Sequence, residues 1–230
     1  MTRRRRLLVI AAPLLLLSSA PARANDASER LERSREVYQE LIQSPDRQVP
    51  QALLEQCKCV AVFPHVFKGA FGFGARYGKG FVSCRDAAGV WSPPAPFTLA
   101  GGSWGLQIGA ESADVVLFFM TEHGAKSLVQ SKFTLGATAG LAAGPAGRTA
   151  EASTDLKLEA EIYSYARAKG LFAGLSLDGA RLAPDALATR QLYGEATPAQ
   201  TILFEQKVPQ RPKVAEDFRA ILPPPHATTP

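Results

Sequence analysis

Histidine, methionine, tryptophan and cysteine are all scarce in this chain, with three, two, two and three copies among 230 residues. His65 and His123 stand alone and His226 sits in a Pro-rich tail, so no histidine pair has metal-ligand spacing. The cysteines Cys57, Cys59 and Cys84 contain no CxxC, which argues against a structural zinc site. No GxxxxGK[ST] is present, and in Gly72-Phe73-Gly74-Ala75-Arg76-Tyr77-Gly78 the third glycine is one residue late for a dinucleotide loop, with no helix following. Neither a metal nor a cofactor is expected.

A hydrophobic run of membrane-spanning length is also missing. The start, MTRRRRLLVIAAPLLLLSSAPARA, has four arginines, an apolar stretch from Leu7 to Leu17 and then Ala22-Arg23-Ala24. That stretch is too short to span a bilayer and ends in a small-x-small pattern, so residues 1–24 are predicted to be a signal peptide removed before Asn25. This places the mature chain in the periplasm or outside the cell, with a peripheral membrane association open to it. It also removes the apparent basicity. Of 26 basic residues five (Arg3, Arg4, Arg5, Arg6 and Arg23) leave with the leader and no acid does, so 21 cations face 21 carboxylates. A neutral chain has no footprint for nucleic acid. Charge is nonetheless uneven: Pro64 to Arg85 carries Lys68, Arg76, Lys79 and Arg85 without a carboxylate.

In an oxidising compartment three cysteines imply one disulfide. Cys57 and Cys59 are too close along an extended strand to pair well with each other, so Cys84 is the shared partner. Cys59 to Cys84 is favoured because Cys59 opens the apolar run CVAVF and the two would lie on neighbouring strands.

Glycine, by contrast, is plentiful and patterned. In GAFGFGARYGKGFVSC, from Gly69 to Cys84, Gly72, Gly74, Gly78 and Gly80 alternate with Phe71, Phe73, Tyr77 and Phe81. A period of two in an extended strand puts bulk on one face and, apart from Arg76, bare backbone on the other. Glycines spent inside a strand mark a close approach by another element or a ligand. The pattern recurs around Ser103 to Ala110, Leu135 to Gly147 and Leu171 to Leu177, which together suggest one closely approached sheet.

Around these strands, Asn25 to Gln43 reads as an amphipathic helix with Leu31, Ser34, Tyr38, Leu41 and Ile42 on one stripe. A short helix follows Pro50, and Cys59 to Phe63 reads as a strand. Phe97 to Ala110 reads as one strand, and Ala113 to Met120 as a strand buried on both faces. Thr121 caps a helix to about Gln130, Lys132 to Ala143 is a strand of small residues, and Gly170 to Asp178 is another. Asp185 to Tyr193, Pro198 to Phe204 and Val214 to Leu222 are predicted to be helical. The class is α+β: a predominantly antiparallel, Gly-rich sheet with an N-terminal amphipathic helix and a few short helices, in a single domain. The organisation is 1–24 leader, 25–48 helix, 49–204 core domain and 205–230 Pro-rich tail.

Gly101-Gly102-Ser103-Trp104-Gly105 matches G-x-S-x-G, but Ser103 leads into an alternating strand rather than a strand-to-helix elbow. Asp114, alone in an apolar run, is read as a residue bonded to backbone before it is read as a catalytic acid. No enzyme is indicated.

The blocks CVAVFPHVFKGAFGFGARYGKGFVSCR, WSPPAPFTLAGGSWGLQIGAESADVVLFFM, SKFTLGATAGLAAGPAGRTAEASTD and YSYARAKGLFAGLSLDGARLAPD, in that order, resemble the SYLF domain family from about Val49 to Leu203. The resemblance implies a non-catalytic lipid-binding module, recognising phosphoinositides in fungal and animal members and linked to actin in yeast. For an exported chain actin is not an expected partner, and the expectation becomes a phospholipid or anionic membrane surface, with Lys68, Arg76 and Lys79 as headgroup contacts and Phe71, Phe73 and Tyr77 as apolar contacts. The other function class open to the sequence is an envelope scaffold packing against a protein partner.

N-terminal sequencing of the exported protein should begin at Asn25. Retention of the preceding residues in detergent-extractable membranes would make the leader an anchor.

Overall fold

The computed structural model describes residues 26–43, 49–71, 73–104, 109–145, 159–168, 171–174 and 176–224. Helix α1 (Asp26–Gln43) and the short α2 (Gln51–Gln56) precede four long strands, β1 (Cys59–Phe71), β2 (Phe73–Cys84), β3 (Ala95–Trp104) and β4 (Gly109–Phe119). After α3 (Glu122–Ser127) come the short strands β5 (Phe133–Thr134), β6 (Leu141–Ala143), β7 (Ile162–Ala168), β8 (Leu171–Gly174) and β9 (Arg181–Pro184). Helices α4 (Ala186–Tyr193), α5 (Ala199–Phe204) and α6 (Lys213–Ala220) complete the described chain. The strands form one sheet in the order β5-β9-β3-β2-β1-β4-β7-β6, curled into a half-barrel. β8 shares the outer edge of β7 with β6, which supplies a parallel pairing in an otherwise antiparallel sheet.

The stretch expected as one Gly-aromatic strand is two strands. Phe71 pairs with Phe73 across the hairpin turn, and the register runs back through Phe67 opposite Tyr77. Odd residues oppose odd ones on both arms, so the alternation passes through the turn unbroken and a period of two cannot reveal it. The segment expected as one strand from Phe97 to Ala110 is likewise split between β3 and β4, which flank the hairpin on either side. The small-residue stretch from Lys132 holds only the two-residue β5 and three-residue β6.

Between Val62 and Phe67 the register of β1 on β2 slips by one residue, and the same bend breaks its register on β4 between Phe63 and Val66. The bend contains Pro64 and His65, whose φ of 53° lies in the left-handed region. There β1 folds over β2 and occupies the bare face of the glycines. A Cβ on Gly80 would stand 2.1 Å from the Val62 carbonyl oxygen and 2.7 Å from Phe63 Cα, and one on Gly78 would stand 2.7 Å from Val66 Cγ2. The close approach implied by the glycine pattern is thus made, at these two positions, by the neighbouring strand.

At the other end of the hairpin Cys59 and Cys84 are register partners with Cα atoms 4.0 Å apart and form a disulfide, leaving Cys57 buried as a free thiol. Burial pushes the Cys57 pKa up to about 12.

The apolar stripe of α1, with Leu31, Val37, Tyr38 and Leu41 buried, lies against β1, β2, α4 and α6. In the middle of the sheet Val115 to Phe119 are buried on both faces, as expected of a continuous apolar strand. Thr121 caps α3 by accepting from the Gly124 N–H (3.0 Å), and Asp185 caps α4 by accepting from Ala188 (3.0 Å). Although α6 falls within the expected Pro-rich tail, it buries Ala215 and Phe218 in the same core. It is held by Arg219 donating to the Trp91 carbonyl (2.9 Å), while the Trp91 indole donates to the Pro223 carbonyl (2.7 Å).

Replacing Gly80 by Ala should cost about 2–3 kcal/mol through overpacking. Gly102→Ala, where the nearest atom to an added Cβ is 4.0 Å away, should be near neutral. Thermal melts would show the first variant lowered by roughly 4–12 °C and the second unmoved; equal melting temperatures would contradict the bend-on-glycine packing.

Candidate functional site

Alternation along the β1–β2 hairpin sorts its side chains onto two faces, and the residues expected to bind together are divided between them. On the outer face Phe67 and Tyr77, partners across the strands, are 52% and 50% exposed. They line a groove of about 440 Å3 with Pro64, His65, Gly78, Lys79 and the first turns of α1, which bring Asp26, Glu29, Arg30 and Arg33. On the inner face Lys68 and Arg76, also register partners, line a smaller hollow. The side chains of Phe71 and Phe73 lie outside the described residues.

The cations of the outer groove already have anions. Lys79 Nζ is 3.0 Å from Asp185 Oδ2. Burial works against ionisation of Asp185, but the Ala188 N–H and the Lys79 ammonium outweigh it and hold its carboxyl below the usual range. Arg30 pairs with Asp26 and Arg33 with Glu36, each at 2.7 Å. What the outer face leaves uncovered is aromatic surface. On the inner face Arg76 is half-buried, and Nη1 donates to the Ser176 carbonyl at a long 3.4 Å.

A second cluster lies at the bend. Asp114 on β4, only 6% exposed, accepts from the His65 N–H (3.0 Å) and from Arg167 Nη2 and Nε (2.8 and 3.2 Å). Arg167, its register partner on β7, also pairs with Glu40 on α1. Arg33 Nη2, 3.9 Å from Asp114, brings a second residue of α1 to the same carboxylate. The backbone-bonded reading of Asp114 is therefore the one the geometry matches, and the Arg167–Glu40 pair was not legible because it joins residues far apart in sequence. Of the residues the hydrolase reading would use, His123 bonds Glu161 at 2.7 Å and Asp114 is committed to Arg167, while the Ser103 side chain lies outside the described residues.

The arrangement brings together apolar surface, fixed ion pairs and a hollow. A family model described as "Las17-binding protein actin regulator", named Ysc84, matches residues 100–223. The chain belongs to the Ysc84 (SYLF) family. Ysc84 relatives include the rat protein "SH3 domain-containing YSC84-like protein 1", 35% identical over 179 residues that cover 77% of this chain and 52% of the rat protein. The human protein of the same name is 34% identical over the same length, and "LAS seventeen-binding protein 3" of Saccharomyces cerevisiae is 33% identical over 76% of this chain and 39% of the yeast one. The chain thus spans about half or less of the length of these Ysc84 relatives; the yeast protein's name speaks of binding and the family description of binding and regulation.

Asp114→Asn should destabilise the fold by about 3 kcal/mol, because it removes the buried carboxylate shared by Arg167 and the His65 N–H and leaves the part-buried guanidinium only Glu40, whereas the double change Asp114→Leu with Arg167→Met should cost less than either single change. Urea denaturation of the variants would check this; a double variant weaker than both singles would mean that the network is a net source of stability.

Proposed function

We propose that this protein is a non-catalytic lipid-binding module of the bacterial cell envelope, which meets membrane through the outer face of the β1–β2 hairpin. The observation that carries this reading is the exposed Phe67–Tyr77 pair, two large rings left half uncovered on neighbouring strands where the other aromatic side chains among the described residues are buried or partly buried. Aromatic side chains in such a position suit the boundary between headgroups and acyl chains, where an apolar body and a polar tip are both accommodated. Membership of the Ysc84 family supports a binding role, and the leader-like start supports placement in the periplasm or on a membrane surface facing it.

Because Lys79 is committed to Asp185 and Lys68 and Arg76 stand on the opposite face of the hairpin, the outer face offers a bilayer little uncommitted positive charge. The affinity is then mainly apolar, and raised salt weakens it only modestly. A second reading, a scaffold that binds a protein partner, draws on the family description as Las17-binding and on the yeast relative's name. Native mass spectrometry separates the two: co-purified lipid favours the first and a stoichiometric protein partner without lipid the second.

Phe67→Ser with Tyr77→Ser removes surface that is already half exposed, so the fold should be unaffected. Each ring contributes about 1–1.5 kcal/mol if its remaining exposed surface enters the bilayer. Co-sedimentation with phosphatidylethanolamine–phosphatidylglycerol vesicles should therefore weaken by roughly 30- to 150-fold. A folded double variant that binds like the wild type would place the membrane contact elsewhere.

A further inference from the structure

The inner hollow of the half-barrel has the composition of a ligand site. Its floor is Val66, Ala113, Val115, Ala166 and Leu177, with no hydrogen-bonding side chain among them, and its volume is about 120 Å3. Apolar cavities of ~150 Å3 take up a benzene-sized guest, so this hollow suits a short aliphatic segment rather than a whole phospholipid. At its mouth stand Lys68, Glu111 and Arg76. Lys68 and Glu111 are register partners on β1 and β4 and balance one another in charge.

Arg76 is different. Its Nε is buried and makes no hydrogen bond within the described residues, and its remaining bond to Ser176 is long. Desolvation pulls its pKa below the ordinary guanidinium value, with the charge of Asp178 opposing the shift. The Asp178 carboxylate is itself taken up by the Ser176 hydroxyl. A buried guanidinium donor without an acceptor is costly, and its presence beside an apolar hollow calls for an anion joined to an aliphatic chain.

We propose that the hollow binds a single-chain anionic amphiphile, with the alkyl end against Val66, Val115, Ala166 and Leu177 and the anionic head on Arg76. This rests on the lipid-binding reading and deepens it: alongside the outer face, which meets a bilayer, the protein holds one monomeric amphiphile on its inner face. The recognising chemistry, an alkyl chain on a carboxylate or a phosphate, could come from a free fatty acid or from an alkyl phosphate, so the two are tested separately.

The mature protein would be titrated calorimetrically with octanoate, octyl phosphate, octanol, acetate and inorganic phosphate. One equivalent of octanoate or octyl phosphate should bind, the better of the two naming the head, while acetate and phosphate bind at least tenfold more weakly. Arg76→Gln should lower the affinity for the alkyl anion at least tenfold and leave that for octanol unchanged. Ala166→Leu fills the hollow and should abolish octanoate binding with the melting temperature and vesicle binding kept; Ala168→Leu, on the same wall, serves if the first variant fails to fold. Undiminished octanoate binding in the folded wall variant, or an unchanged affinity in Arg76→Gln, would overturn the proposal. Octanoate binding without vesicle binding would leave the hollow standing and defeat the bilayer reading, and vesicle binding without octanoate binding would do the reverse.

Discussion

At Gly80 the carbonyl of Val62 and the Cα of Phe63 stand where a side chain would begin. A sheet can bend this sharply only if one strand gives up its Cβ atoms where the other crosses it, and the single-residue slip in β1 is what brings the crossing there. The inner hollow and the exposed outer face of the hairpin both depend on that bend. Straightening β1 would restore one register along the whole hairpin, exchange the faces of either Phe67 and Lys68 or the residues before the bend, and leave His65 without its left-handed conformation.

The bend is held from outside by charge. Asp114 receives the His65 N–H and the Arg167 guanidinium, and Arg167 reaches Glu40, so the bend in β1, the two strands next to it on one side (β4 and β7) and helix α1 are tied together through one buried carboxylate. Of the three cations that a reading of the sequence assigns to ligand binding, Lys79 is already answered by Asp185. A region rich in lysine and arginine is not thereby an anion site; what counts is how many of those charges the fold has already answered. On this hairpin, among the described residues, apolar surface and the incompletely bonded guanidinium of Arg76 are left over.

Much of the secondary structure was legible. The stripe of α1, the doubly buried β4, the Thr121 and Asp185 caps and the α5 and α6 segments follow from periodicity and capping chemistry, which are local. The hairpin turn was hidden because Phe71 and Phe73 share parity, so the alternation that revealed the strands also concealed the reversal between them. Strand β9 was missed because four residues ending in Pro184 carry too little pattern. The candidate binding residues were named as one set, although alternation already places Lys68 and Arg76 on the face opposite Tyr77 and Lys79. Grouping by sequence proximity overrode a rule of geometry that the sequence itself supplied. The glycines were correctly read as a sign of close approach, but what approaches could not be read, since the slip in β1 that brings Val62 and Phe63 over Gly80 is a long-range event.

Cys57 bears on how the protein reaches this state. Of the pairings open to three thiols, only Cys59 with Cys84 joins residues that face each other in register and leaves the third sulfur in the core. Burial holds the Cys57 thiol in its protonated form, well away from the thiolate that attacks a disulfide. The native link therefore has almost no internal nucleophile to reopen it, and thiol exchange is confined to chains that have not yet folded. Burial of a spare cysteine acts as a ratchet: a chain that is not yet folded keeps a third thiol able to reshuffle its bonds, and folding then removes the reagent.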